Sequence, residues 1–411
     1  MRWRPGLRVT RMPTTSSPAA APSAEEQRHA LLRAARDVAD DLAADAIARD
    51  QAGLPPIDEK TRLCEAGLLA ALTPPGPGRG VDWLTGCAVI RAIAAADSSV
   101  GALLARHYLH AWSGRFYASH HQAAALEEES LRKQWLWTGA VRAPAPDEHT
   151  SAPDLTLRPR DTGYVLSGCR SVETAVTVAD QIVLDAVCAV TGDILVVRIP
   201  RGARGVTIEP AHDRLGQRVA GAGKIILDRV TVTPGQLLGR RPHDEESAAP
   251  FTALAEPALR LALCHVALGI IEGALTEARD LSRGGHAHRL PGEDPDLLLT
   301  YGELASAAQT ATAVVHRATA VMARALDTGP HLDVEEPASV AALVATAETV
   351  TSKAALDITT RVLELTDAPG LDRFWRNARV LTAHHPVTRR LRSIGEHYLN
   401  GSHRAVAAAF H

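Results

Sequence analysis

A chain of 411 residues with 46% hydrophobic and 22% charged side chains has the make-up of a globular protein, and its length suggests two or three domains. A net charge of −3 argues against bulk nucleic-acid binding and a basic membrane-facing surface. Five scattered cysteines (Cys64, Cys87, Cys169, Cys188, Cys264) form no Cys-x-x-Cys pair, which argues against a disulfide framework or a zinc site and fits a reducing cytoplasm.

Residues 1–23 mix Arg2, Arg4, Arg8 and Arg11 with Pro, Thr, Ser and Ala and lack a continuous apolar run. This is the pattern of a disordered tail, with Met12 an alternative start. Leu31, Leu32, Ala35, Val38, Leu42 and Ala46 recur at helical spacing and predict an amphipathic helix over 24–50. A second begins near Ile57, runs through Leu63, Ala66 and Leu69, and is stopped by Pro74-Pro75-Gly76-Pro77-Gly78. The apolar stretch 83–112 is broken by Asp97-Ser98-Ser99, where Asp or Ser can cap a new helix. No apolar run approaches the length of a bilayer span.

After Lys133 the pattern changes. Trp135-Leu136-Trp137-Thr138-Gly139 and the branched segments 164–168, 181–184, 194–199 and 224–227 predict strands. Helical patterns of about thirty residues return over 251–282, 295–326 and 335–365, with a shorter one over 386–398, and their apolar stripes imply a bundle. The organisation expected is a tail (1–23), a helical domain (24–133), a β domain (134–246) and a helical bundle (247–411).

The most specific stretch is Leu371-Asp372-Arg373-Phe374-Trp375-Arg376-Asn377-Ala378-Arg379, followed by Ala383-His384-His385-Pro386 and Gly395-Glu396-His397-Tyr398-Leu399-Asn400-Gly401. It resembles the C-terminal signature of flavin-dependent monooxygenases built on the acyl-CoA dehydrogenase fold, the group that includes dibenzothiophene monooxygenase. Weaker resemblances precede it in the family's order: Glu65-Ala66-Gly67-Leu68-Leu69, Ala96-Asp97-Ser98-Ser99-Val100, Gly163-Tyr164-Val165-Leu166-Ser167-Gly168, Leu215-Gly216-Gln217-Arg218 and Asp228-Arg229-Val230-Thr231-Val232. Together they cover nearly everything from residue 25 onward. The fold implied is α+β, with an N-terminal helical domain, a middle β-barrel and a C-terminal four-helix bundle. Dehydrogenases of this fold carry a glutamate about six residues after the last arginine of the matching run, where this chain has His385. Without a carboxylate there, α-proton abstraction from an acyl thioester lacks its base, which tilts the reading toward oxygen chemistry.

The resemblance implies site residues. Trp137, Thr138 and Thr174 match positions against the isoalloxazine, where a hydroxyl can donate or accept as the redox state changes. Ordinary strand threonines remain the alternative. Glu173 departs from the family's apolar or small residue. Arg283 matches an arginine that reaches cofactor phosphate, often across a subunit boundary, and otherwise reads as a helix-end arginine. His107 matches a histidine on the oxygen-reacting side of the flavin and His384 a second active-site histidine; a further one of that subgroup falls at Leu381. Adjacent His384 and His385 point apart, and the pairs His107/His110 and His286/His288 lack carboxylate ligands, so metal binding is a poor reading. Arg373, Arg376 and Arg379 recur at helical spacing and read best as ion-pairing anchors.

The resemblance thus implies a two-component monooxygenase: a separate NAD(P)H-dependent flavin reductase supplies reduced FMN or FAD, O2 forms a C4a-hydroperoxide, and a small molecule is oxygenated at nitrogen, sulfur or an aromatic carbon. It also implies a homotetramer arranged as a dimer of dimers. The alternatives are a dehydrogenase whose base has moved to Glu335, Glu336 or Glu364, and a flavin-free relative suggested by Glu173, Leu381 and the short 366–370 loop.

Overall fold

The computed structural model describes residues 23–72, 81–141, 154–241, 248–285, 295–366, 368–383 and 387–401. His384 and His385 lie outside them, as do the 1–22 tail and Pro74 to Gly78.

The expected first helix is two. Ser23 opens α1 (Ala24–Ala44) with a capping box to Glu26, and a break at Asp45 precedes α2 (Ala46–Ala52). Arg49 of α2 ties the break down by reaching Asp45 at 2.7 Å and buried Asp97 at 3.0 Å. Helix α3 spans Ile57–Glu65. Asp97 ends α4 (Trp83–Ala96) and starts α5 (Ser98–Ala111) by accepting from the Ser99 and Val100 amides at 2.9 and 3.2 Å. Short α6 (Ser113–Tyr117) and α7 (His120–Lys133) complete the N-terminal helices.

Eight strands follow: β1 (Trp137–Ala140), β2 (Leu155–Arg160), β3 (Gly163–Val172), β4 (Gln181–Cys188), β5 (Ile194–Pro200), β6 (Val206–Pro210), β7 (Gly223–Val232) and β8 (Leu237–Arg241). They form one sheet in the order β6-β7-β3-β2-β4-β5-β8, with β1 parallel to the first half of β4 and β2 parallel to its end. Strands β6 and β8 form no pair with each other among the described residues, so the barrel is open along that seam. Leu155, Leu166, Ile182, Ile199, Ile225 and Val232 fill its interior.

The C-terminal bundle consists of α8 (Ala255–Gly285), α9 (Pro295–Thr328), α10 (Glu336–Leu365) and α12 (Val387–Asn400), with α11 (Asp372–Thr382) lying across α8 and α10. Helix α8 is the centre of the molecule, packing on α4, α5 and α10. The α4 approach requires glycine: a Cβ on Gly273 would sit 2.2 Å from the Ala95 carbonyl oxygen. The expectation that no segment matches a bilayer span needs correction. The stretch Thr252–Gly284 is long and apolar enough, but 72% of its most apolar window is buried inside the protein, so its hydrophobicity serves the core.

Candidate active site

Strand β1 lies between α5 and β4, and two histidines hold it there. His107 Nδ1 accepts the Trp137 amide N–H at 3.0 Å, which leaves Nε2 to carry the proton and donate it to the Leu69 carbonyl at 2.8 Å. One helical turn on, His110 shares a hydrogen bond with the Gly139 backbone. Both rings are buried. Desolvation is the main cause lowering the His107 pKa to about 4 and that of His110 to about 3, so both are neutral at physiological pH. His107 therefore stands as a neutral clamp with both ring nitrogens engaged.

Strand alternation separates Trp137 from Thr138. The Trp137 indole packs with Leu126, Val183, Val196 and Leu238 and donates from Nε1 to Ser130 Oγ at 2.8 Å. Its ring is thus packed into the core, while its main chain continues into Thr138. Thr138 is fully buried and donates from Oγ1 to the Thr174 carbonyl at 2.6 Å. Thr174 is buried as well, and its own Oγ1 has no hydrogen-bond partner. An unpaired buried hydroxyl is costly and calls for an explanation.

A second unpaired group lies in the adjoining loop. The Ala175 amide donates to the Ala220 carbonyl at 2.7 Å, joining residues 172–175 to residues 213–222. Within that loop Gln217 is buried, holds a φ of +55°, and has neither its side-chain Nε2 nor its Oε1 hydrogen-bonded. Helix α11 imposes the conformation. Asn377 Oδ1 accepts the Gln217 amide at 2.6 Å, and a Cβ on Gly216 would lie 2.3 Å from the Arg376 carbonyl oxygen. The arginines anchor α11 in turn, as expected for two of the three: Arg376 pairs with Asp50 at 2.5 Å and Asp372 at 2.9 Å, Arg373 with Glu277, while Arg379 is exposed. In the sequence Gln217 belongs only to the Leu215-Gly216-Gln217-Arg218 fold motif, because a polar side chain with a left-handed backbone in a buried loop leaves no periodic trace.

Charge gathers at the same place. Glu173 turns to Arg214, with Oε2 3.4 Å from Nη2, so its carboxylate is paired with a cation. Burial lowers the Arg106 pKa, opposed by Glu173 and Glu256. The candidate replacement bases Glu335, Glu336 and Glu364 are all exposed at the ends of α10, which removes them from the interior. Leu381 is half-buried against the core. Arg283 is exposed in the last turn of α8, away from any described partner. Cavities of about 270 Å³ beside Asp50, Arg218 and Arg376 and about 490 Å³ beside Trp135 and Arg198 include neither threonine. No group of three potential metal ligands occurs among the described residues.

Residues 261–389 match the family model of the acyl-CoA dehydrogenase C-terminal domain. Over 389 residues the chain is 30% identical to dibenzothiophene monooxygenase of Rhodococcus erythropolis, covering 90% of this chain and 93% of that one. It is equally 30% identical to a probable FMNH2-dependent monooxygenase, SfnC, of Pseudomonas putida, covering 90% and 94%. The crystal structure of TdsC from Paenibacillus sp. A11-2 with FMN and indole superposes with a TM-score of 0.82 at 29% identity, covering 90% and 97%. The chain belongs to the flavin-dependent monooxygenases built on the acyl-CoA dehydrogenase fold.

Proposed function

We propose that this protein takes reduced FMN from a separate NAD(P)H-dependent flavin reductase and uses it with O2 to place one oxygen atom on a small organic molecule. The observation that carries the reading is the buried Thr174 hydroxyl without a partner, with the equally unpartnered Gln217 carboxamide in the loop that the Ala175–Ala220 hydrogen bond joins to it. A flavin's pyrimidine edge offers alternating donors and acceptors, which these groups suit. FMN rather than FAD follows from the relatives, whose names and bound ligands specify FMN.

In this reading Thr174 and Gln217 hold the pyrimidine edge, Thr138 fixes the Thr174 backbone, and Arg283 reaches the phosphate of a flavin shared with a neighbouring subunit. When bound, reduced FMN supplies the two electrons that let one atom of O2 enter the substrate while the other leaves as water. His107 and His110 keep β1 in register and exclude water. His384 is the proton-handling histidine, and His385 stands where a dehydrogenase has its carboxylate, so no base is available for α-proton abstraction. A reaction fed by NAD(P)H belongs in the cytoplasm.

Assembly enters through α12. Val387, Leu391, Tyr398 and Leu399 are all exposed on it, together with Leu281 of α8 and Leu298 and Leu299 of α9. Large apolar groups exposed on the bundle helices suit a subunit interface, in keeping with a homotetramer. The function is tested by supplying the chain with photoreduced FMN and oxygen, in the presence of an aromatic sulfide or indole, and assaying for incorporation of one atom from labelled O2. Oxidation of FMN with all oxygen recovered as peroxide across such substrates would count against it.

A further inference from the structure

The cavity of about 490 Å³ between the end of α7 and strands β4 and β5 gathers cations. Trp135, which lines it, meets the Trp137 indole edge-on with ring centroids 5.9 Å apart, so the cavity belongs to the face of β1 opposite Thr138. Lys133 of α7 and Arg198 of β5 stand over the Trp135 ring, 4.9 and 5.4 Å from its centroid. Arg201, in the turn after β5, lines the cavity as well.

The two acids of the lining already have partners. Glu129 pairs with Lys133 at 2.7 Å, and Asp180 pairs with Lys60 at 2.8 Å while its other oxygen accepts the Leu136 amide at 2.8 Å. Neither arginine has a carboxylate. Arg198 donates from Nη1 to the neutral Gln181 Oε1 at 3.0 Å, and Arg201 donates from Nε to the Ala179 carbonyl at 3.0 Å. Arg198 Nε is buried without an acceptor, and the indole face compensates its charge only in part. The remaining donors, Arg198 Nη2 and both Nη groups of Arg201, have no partner among the described residues. Arg198 is half-buried, Arg201 is exposed and both line the cavity, so these donors are within reach of a ligand from solvent. With each acid matched to a lysine, the two arginines leave the site a formal charge of +2.

We propose that this cavity binds a phosphate group, free or carried by a small molecule, between Arg198 and Arg201. A phosphate monoester carries a charge of about −1.5 to −2 at pH 7, which matches two uncompensated guanidinium groups, and their N–H donors suit its oxygens. The volume exceeds what one phosphate fills and falls in the range of small-molecule sites, with Trp135 offering apolar surface to an organic part. Gln181 holds Arg198 in place without neutralising it, which a glutamate there would do. The site is separate from Thr138 and Thr174 and needs neither flavin nor oxygen.

The test is isothermal titration calorimetry of the full chain at low ionic strength, with AMP, inorganic phosphate and the neutral nucleoside adenosine as probes. AMP should bind saturably, tenfold or more tighter than adenosine, and lose affinity as salt is added. Inorganic phosphate binding as tightly as AMP would make free phosphate the ligand, and weaker binding would assign the site to a phosphorylated organic molecule. Arg201→Gln should weaken AMP binding at least fivefold. Gln181→Glu, which gives Arg198 the carboxylate it lacks, should weaken it tenfold or more without lowering the melting temperature, while Thr174→Val should leave it unchanged. Because Arg201 is exposed, its variant keeps the test decisive should Gln181→Glu not fold. AMP and adenosine binding alike, no saturable binding of AMP or inorganic phosphate, full AMP affinity in Arg201→Gln, or loss of AMP binding in Thr174→Val would each overturn the proposal.

Discussion

The Trp137 amide N–H donates to His107 Nδ1 at 3.0 Å, so a histidine of α5 holds the strand that carries Thr138. Because Nε2 simultaneously serves the Leu69 carbonyl, the ring is fixed in one neutral tautomer. Replacing His107 with Ala leaves a buried donor and a buried acceptor unpaired and opens a cavity. Stability should fall by about 2–4 kcal/mol, read from chemical denaturation. A loss below 0.5 kcal/mol would show that the clamp contributes little.

The buried histidines, among them His265 of α8, whose Nε2 lies 2.8 Å from Thr319 Oγ1, make stability depend on pH. His107, at about 4, and His110 and His265, at about 3, all titrate below the unfolded value near 6.5, with desolvation the leading cause in each. Between the two values the unfolded chain binds protons that the folded chain does not. Stability is therefore full above about pH 6.5 and declines as pH falls toward 4, with a slope of up to ~1.4 kcal/mol per pH unit for each histidine. Urea midpoints at pH 7.5, 6.0 and 5.0 measure this, and His265→Leu should reduce the slope. A midpoint rising on acidification would contradict the assignment of neutral buried rings.

Thr174→Val removes the unpaired hydroxyl while keeping the shape. The melting temperature without ligand should stay the same or rise, because a desolvated polar group is lost. The Kd for reduced FMN, titrated under nitrogen, should rise about five- to tenfold, the worth of one hydrogen bond. Unchanged affinity would remove Thr174 from the flavin site.

In the proposed function, proton handling in the oxygen chemistry falls to His384. Its replacement with Ala should leave the fold intact and shift turnover from product to hydrogen peroxide, measured as moles of peroxide per mole of NAD(P)H consumed with an added reductase. An unchanged ratio would place proton handling elsewhere.

Sequence reading reached the fold because its signals are long or specific. Thirty-residue apolar periodicities gave α8, α9 and α10, and the branched runs near 164, 181, 194 and 224 gave β3, β4, β5 and β7. A cap within Asp97-Ser98-Ser99 was legible because capping is a local event, and the structure gives the role to Asp97. The break at Asp45 was missed because the apolar spacing continues across it, and what divides α1 from α2 is an arginine reaching residues far along the chain. For the site, residue type was visible and environment was not. Thr138 and Thr174 stood out, but nothing local shows that one hydroxyl is engaged and the other unpaired. Gln217 and Arg198 owe their character to contacts with Asn377 and Gln181, which only the folded chain brings about.

Exposed Val387, Leu391 and Tyr398 on α12 define the assembly prediction. Light scattering should show an oligomer that Leu391→Asp reduces in size, with flavin affinity falling as the assembly dissociates. A monomer binding reduced FMN as tightly as the oligomer would refute a shared flavin site.

Binding of reduced FMN and control of its reaction with oxygen are both open to spectroscopy. The most direct measurement titrates the protein with photoreduced FMN under nitrogen and then mixes the complex with oxygenated buffer in a stopped-flow spectrophotometer. Saturable binding is expected, followed by an absorbance transient distinct from both reduced and oxidised FMN and absent without protein. Failure to bind reduced FMN, or oxidation kinetics identical to those of free flavin, would show that the protein does not direct this chemistry.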